Sequence, residues 1–221
     1  MIAKLILKIS MVSLAFWMIS CSGEQKAVAV PNAGGTLFDG KSLAGWEGDS
    51  NWFRIEDGAI VAGSLEREIP YNMFLCTTKE YGDFELKLEA KLVGPGDNSG
   101  IQIRSRRIEG GPEVSGYQAD MGGSIGDFGV VWGSLYDEAR RNKMLVTANQ
   151  EEIVKVYRPH DWNEMVVKCQ NNHIQVWING YQSVDYTESD DTIAKKGIFG
   201  FQIHKGAPTE VWFRNIRLTE L

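Results

Sequence analysis

The 221-residue chain holds only three cysteines and three histidines. One of the cysteines, Cys21, falls at the end of an apolar leader and outside the body of the chain. The remaining two, Cys76 and Cys169, cannot make a zinc site without other ligands. Each lies in an apolar, strand-like run, so a buried free thiol is expected even where the compartment would permit a disulfide. After the leader no stretch of ten or more residues carries a 3.6-residue apolar period, which argues against a helical bundle. Internal repeats and low-complexity tracts are also missing. An excess of positive charge is absent too: the formal net charge is -6, and without Lys4 and Lys8 the chain has 21 basic against 29 acidic residues, a charge of -8. Nucleic acid is not expected as a partner of such a surface.

What is present begins with a targeting segment. Lys4 and Lys8 stand at the start of an apolar stretch that runs to Ile19 and gives way to Ser20-Cys21-Ser22-Gly23. That is the layout of a secretory signal. Ser20 before Cys21 resembles a bacterial lipobox, in which the cysteine is lipidated and becomes the mature N-terminus, although Met18 is a less usual residue three places before it. The expected organisation is a signal peptide at 1–20, a lipidated Cys21, a tether at 21–35 and one domain at 36–221. The expected location is the cell envelope, in the periplasm or at the outer membrane, with the membrane contacted through the lipid alone.

Period-two alternation recurs along the whole domain: Trp52 to Ile55, Ala59 to Ala62, Phe84 to Leu92, Ile101 to Arg106, Tyr117 to Met121, Met165 to Cys169, Ile174 to Ile178, Ile198 to His204 and Val211 to Leu218. Such density predicts an all-β fold. Asp57-Gly58, Asn171-Asn172 and Asn179-Gly180 lie between runs and suit tight hairpins. With 24 glycines and short connections, the pattern predicts a two-sheet sandwich. The charged segment Asp137 to Lys143 reads as a solvated loop.

The outward faces of several strands are unusual. Phe84 to Leu92 carries the ordinary solubilising Glu and Lys. Opposite Ile101 and Ile103, however, stand Gln102, Arg104 and Arg106; Tyr117 to Met121 offers Gln118 and Asp120; Phe199 to His204 offers Gln202 and His204. Amides, guanidiniums and an imidazole hydrogen-bond vicinal hydroxyls and carboxylates with defined geometry. Trp132 and Tyr136, an even number of steps apart, would share one strand face and stack on a sugar. The alternatives are that both aromatics belong to the core, that the arginines are solvated, and that His204 is structural.

Several blocks in order then resemble one family: Leu37-Phe38-Asp39-Gly40-Lys41-Ser42-Leu43 with Gly45-Trp46, Asn98-Ser99-Gly100-Ile101, Gly116-Tyr117-Gln118-Ala119-Asp120, Trp132 to Glu138, Gly200 to Gly206 and Phe213 to Leu218. Together they are similar to the 3-keto-disaccharide hydrolase domain, over residues 36–221. The resemblance implies a concanavalin A-like jelly roll, export, and action on glycosides already oxidised to a ketone at carbon 3. It also implies a partner oxidoreductase that installs the ketone. The chemistry would be removal of the carbon-2 proton, elimination of the aglycone and hydration, which needs a base, an acid and donors to the enolate.

On the inferred face, Asp120 and His204 are the acid or base candidates. Arg104 and Lys205 are candidate enolate or hydroxyl binders, Gln118 and Gln202 are orienting amides, and Tyr136 is an acid or a hydroxyl contact. The carboxylate and imidazole could equally hold a divalent metal ion. Many members of the family carry Glu where this chain has Gln118, which would move the base role to Asp120. The competing reading is a non-catalytic, lectin-like carbohydrate-binding module, since one sandwich serves both uses. A two-carboxylate glycosidase ranks below both, because no strand supplies a Glu-x-Asp-x-x-Glu pair.

Overall fold

The computed structural model describes residues 35–221. The leader, Cys21 and the tether up to residue 34 lie outside the described residues. Gly35 already pairs with Leu218, so strand structure begins one residue before the expected boundary. Among the described residues no helix is long and apolar enough to cross a membrane.

Two antiparallel sheets stack face to face. The first has the order β13 (Tyr181–Thr187), β12 (His173–Ile178), β11 (Asn163–Gln170), β6 (Phe84–Val93), β15 (Thr209–Glu220), β4 (Ala59–Ser64) and β3 (Phe53–Glu56), with β1 (Gly35–Thr36) also on β15. The second has the order β10 (Lys143–Val146), β9 (Leu135–Glu138), β8 (Val114–Gly122), β7 (Asn98–Arg107), β14 (Ile198–Ile203), β5 (Met73–Thr77) and β2 (Trp46–Glu47). This is the all-β two-sheet sandwich that the alternation predicts, and the jelly roll that the family resemblance implies. One short helix, α1 (Gln150–Val156), is capped by Asn149, whose side chain accepts from the Glu151 and Glu152 amides.

All nine predicted strand runs are present, with ends shifted by a few residues. The hairpin signals act as expected: Asp57 and Gly58 have φ of 48° and 72°, and Asn179 and Gly180 have 48° and 86°. Both central residues of such a turn need positive φ, which Asn, Asp and Gly tolerate. In β6 the buried Phe84, Leu86, Leu88, Ala90 and Leu92 alternate with Glu85, Lys87, Glu89 and Lys91. The apolar set packs against the second sheet, where Phe201 stacks on Phe213 of β15 with ring centroids 4.3 Å apart. Cys76 and Cys169 are buried free thiols. Burial pushes them up to about 11 and about 12 respectively.

The second sheet departs from ordinary antiparallel patterning. All of β8 is buried, as is β7 from Ser99 to Ser105. Polar side chains on the face away from the core are therefore covered, whereas an exposed antiparallel face would leave them wet. Gln102 and Gln202 are fully buried, Gln118 is 4% exposed and Asp120 7%.

Three expectations fail here for local reasons. Arg104 does not join Gln102 on that face. A register shift between Ile103 and Arg106 marks a β-bulge, and Arg104 has a φ of 46°. The extra residue inverts the alternation. Ser105 takes the place beside Gln102, and the Arg104 guanidinium instead binds Gly82 O, Asn171 O and the Asp83 carboxylate. Trp132 and Tyr136 do not share a strand face either. A turn at Trp132 and Gly133, with Gly133 at φ 72°, interrupts the segment before β9. Trp132 is 1% exposed and stacks on Tyr157 in the core, so it is unavailable as a sugar platform. Finally, Asp137 to Lys143 is not simply solvated: Asp137 is fully buried in β9, where it is paired with Arg140 and Arg141.

Candidate functional site

On the outer face of the second sheet a cleft of about 340 Å³ gathers Gln118 and Asp120 from β8, Tyr136 and Glu138 from β9, and His204 and Lys205 from the residues that follow β14. Asn98 at the start of β7, Asn72 before β5 and Met144 of β10 complete the walls. Ile125, Phe128 and Val131 form a rim from the β8–β9 connection. Strand register explains the convergence. Gln118 lies opposite Tyr136 in β9, and Asp120 lies opposite Gly100 in β7. Gly100 is required here, because a Cβ at that position would come 2.5 Å from Gln118 Cγ and Cδ. The Gln118 side chain thus lies flat across the neighbouring strand and reaches Asp120.

Of the residues singled out from the sequence, the cleft contains Asp120, His204, Gln118, Tyr136 and Lys205. Arg104 and Trp132 are elsewhere. Gln202 is on the same sheet face, in register with Phe74 of β5, but it is fully buried and does not line the cleft; neither its amide nitrogen nor its oxygen has a protein partner. Glu138, Asn72, Asn98 and Phe128 went unrecognised in the sequence. Glu138 had a legible signal, since it stands two strand steps from Tyr136. Phe128 had none, because it belongs to a short 3₁₀ turn, Gly126–Phe128, between strands, where it is 47% exposed.

The electrostatics separate the two central groups. Gln118 Nε2 donates to Asp120 Oδ1 at 2.7 Å. Burial nevertheless dominates and raises the Asp120 carboxyl to about 8; the Gln118 bond opposes this and the Glu138 charge adds to it. His204 moves the other way. Burial lowers its pKa, aided by the Lys205 charge and opposed by the bond from its ring to the Lys205 carbonyl. That bond, 2.7 Å from Nδ1 to Lys205 O, fixes the tautomer: a carbonyl only accepts, so neutral His204 carries its hydrogen on Nδ1 and leaves Nε2 as a bare lone pair. The Tyr136 phenol is raised by burial and by the Glu138, Asp120 and Asp137 charges, and so remains a hydrogen-bond donor. Glu138 is itself raised by burial and by Glu113. At Asn72, Oδ1 accepts from the Lys205 amide at 2.9 Å, which leaves the Asn72 NH₂ for a ligand.

Among the described residues no three His, Cys, Asp or Glu side chains gather as metal ligands. Asp120 and His204 are two candidate donors, fewer than a metal site built of protein side chains ordinarily holds. A larger cleft, about 520 Å³, lies among Arg104, Arg106, Arg140, Arg141 and Lys196. Arg104 is bound to Asp83 and Arg141 to Asp137 and Glu188. Its acids Glu80 and Asp190 are exposed.

The two stacked antiparallel sheets define a concanavalin-like jelly-roll sandwich. Residues 34–219 match the family described as 3-keto-alpha-glucoside-1,2-lyase-like domain, and the chain belongs to it. Among solved structures, two candidate glycosyl hydrolases from Parabacteroides distasonis share the fold. One is 23% identical, with a TM-score of 0.62 over 86% of this chain and 100% of its own; the other is 19% identical, with a TM-score of 0.61 over 84% and 92%. The carbohydrate-binding module CBM66 from Bacillus subtilis superposes with a TM-score of 0.55 at 8% identity, over 79% of this chain and 95% of its own. A comparison with curated protein sequences finds no match.

Proposed function

We propose that the protein cleaves 3-keto-glycosides, including 3-keto-disaccharides, by elimination across carbons 1 and 2 followed by hydration. The observation that carries this reading is one cleft holding two proton-transfer groups whose pKa values are displaced in opposite senses, the Asp120 carboxyl upward and the His204 imidazole downward. Near neutrality the carboxyl is then a neutral acid and the imidazole a free base, as acid–base chemistry at one substrate requires.

In the first step His204 Nε2 takes the carbon-2 proton, which the adjacent ketone acidifies. Electrons from that C–H bond form the enolate, whose oxygen the Lys205 ammonium and the Asn72 and Asn98 amides would stabilise. Collapse of the enolate forms the C1–C2 double bond and breaks the C1–O bond, and Asp120 donates its proton to the departing oxygen. The products are the free aglycone and an unsaturated 3-keto sugar. In the second step Asp120, now a carboxylate, takes a proton from water as the hydroxyl adds to carbon 1, and the His204 imidazolium returns a proton to carbon 2. Both groups are reset and the net reaction is hydrolysis. Tyr136 and Gln118 hold the sugar and the acid respectively, and Phe128 supplies an exposed aromatic face at the rim.

Incubation with a 3-keto-disaccharide and with its unoxidised parent tests the proposal: cleavage of the keto form alone is expected. Binding of both without cleavage would instead select the carbohydrate-binding reading, for which the shared fold of CBM66 is a precedent. The proposed setting is the bacterial cell envelope, with the chain anchored through lipidated Cys21 and supplied by an oxidoreductase that makes the ketone. Cys21→Ala is expected to leave an unprocessed precursor without an acyl mass.

A further inference from the structure

Behind Asp120 runs a line of polar side chains of which the mechanism above uses only Gln118. Ser105 Oγ lies 2.7 Å from Gln102 Oε1, Gln102 Nε2 lies 2.7 Å from Gln118 Oε1, and Gln118 Nε2 lies 2.7 Å from Asp120 Oδ1. The four groups cross β7 and β8 on one sheet face, and none is more than 7% exposed. Each link constrains the next. The Ser105 hydroxyl has two acceptors, Gln102 Oε1 at 2.7 Å and Ile103 O at 3.0 Å; with its hydrogen on the nearer one, the Gln102 NH₂ faces Gln118. The Gln118 oxygen is thereby occupied, and its NH₂ must face Asp120. The backbone makes room for this line. The β-bulge that turns Arg104 away brings Ser105 to this face, and a Cβ at Gly116 would come 2.2 Å from Ser105 Oγ.

We propose that Ser105 and Gln102 are positioning residues for Asp120: they lock the Gln118 amide with its NH₂ toward Oδ1, so that Oδ1 is held as an acceptor and Oδ2 is the oxygen that carries and delivers the proton in the cleft. Neither Ser105 nor Gln102 lines that cleft; both act through Gln118. The proposal rests on the reading of Asp120 as the acid, although the orientation it assigns to the carboxyl can be measured without turnover. The bond from Gln118 stabilises the ionised form of Asp120 and opposes the effect of burial. Loosening the line therefore raises the Asp120 pKa further. The titratable groups facing Asp120 in the cleft are Tyr136 and Glu138 from β9, and His204 and Lys205 after β14; β7 contributes only Asn98 and Gly100 at this point.

The experiment is a carboxyl ¹³C NMR titration of the full domain, with the Asp120 resonance assigned by its loss in Asp120→Asn. Gln102→Leu is expected to raise the Asp120 pKa by about one unit, the size of one hydrogen bond. Ser105→Ala, which keeps the Cβ and tests the far end, is expected to raise it by less. On a 3-keto-glycoside both variants should move the alkaline limb of kcat upward with the NMR value and leave KM unchanged. If Gln102→Leu fails to fold, Ser105→Ala decides alone. An Asp120 pKa that stays at the wild-type value in every folded variant, with only Tm lowered, overturns the proposal. If the pKa moves as expected but the wild type cleaves no 3-keto-glycoside, the positioning stands and the proposed function falls.

Discussion

Arg104 Nη2 lies 2.7 Å from Asp83 Oδ1, and this contact joins the two sheets at a position where the sequence alternation places Arg104 on the opposite face. The Arg104 side chain is 2% exposed while Asp83 remains 31% exposed. Arg104 is a tie between sheets and lies outside the cleft that holds Asp120 and His204. Arg104→Ala is expected to cost ~2–4 kcal/mol in urea unfolding, after allowance for the partly solvated carboxylate. Activity per folded molecule should change less than about twofold. A loss of turnover without a loss of stability would return Arg104 to the catalytic set.

The two central groups should be separable from stability. Asp120→Asn and His204→Ala are each expected to lower turnover of a 3-keto-glycoside by at least ~10²-fold. The wild-type kcat/KM should trace a bell. Its acid limb lies below the ordinary histidine range, because His204 must be deprotonated to act as base. Its alkaline limb lies near 8, because Asp120 must be protonated to act as acid. Glu138→Gln removes a charge that raises Asp120 and should move the alkaline limb down. Chelator treatment is expected to leave the profile unchanged; loss of activity restored by a divalent ion would recast Asp120 and His204 as ligands.

Asp120 also predicts a pH-dependent stability. Its folded pKa of about 8 stands above the unfolded value of about 3.9, so the folded state binds more protons between the two. The associated stability is complete below the unfolded pKa and is lost as pH rises through the folded one. Asp120→Asn, which cannot ionise, should therefore be more stable than the wild type at pH 9, by on the order of a few kcal/mol, with the gap closing toward pH 4. Equal denaturant midpoints across that range would show that the carboxyl is not desolvated.

Phe128 gives a test of the rim. It is 47% exposed and lines the cleft, and it makes no contribution to either core cluster. Phe128→Ala is expected to raise KM for a 3-keto-disaccharide roughly three- to tenfold with kcat little changed, the effect of losing one stacking surface. An unchanged KM would leave Tyr136 as the aromatic contact.

The sequence alone determined the fold class and most of the strands, because period-two burial is a local property that each segment carries within itself. β6 and β15 could be read without a partner, and the Asp57-Gly58 and Asn179-Gly180 turns were legible from backbone sterics. Parity along an uninterrupted strand also placed Gln118 on one face with Asp120, and Gln202 on one face with His204. Tertiary structure decided everything that depends on a break in parity or on which strands are neighbours. The bulge after Ile103 exchanged Arg104 for Ser105, and the positive φ of Gly133 sent Trp132 into the core. Only the pairing of β9 with β8 brought Glu138 and Tyr136 to Asp120. The elevated Asp120 pKa belongs to this second group as well. Desolvation is set by whatever surrounds a side chain, and the residues lining the cleft around Asp120 include Asn72, His204 and Lys205 from segments distant along the chain.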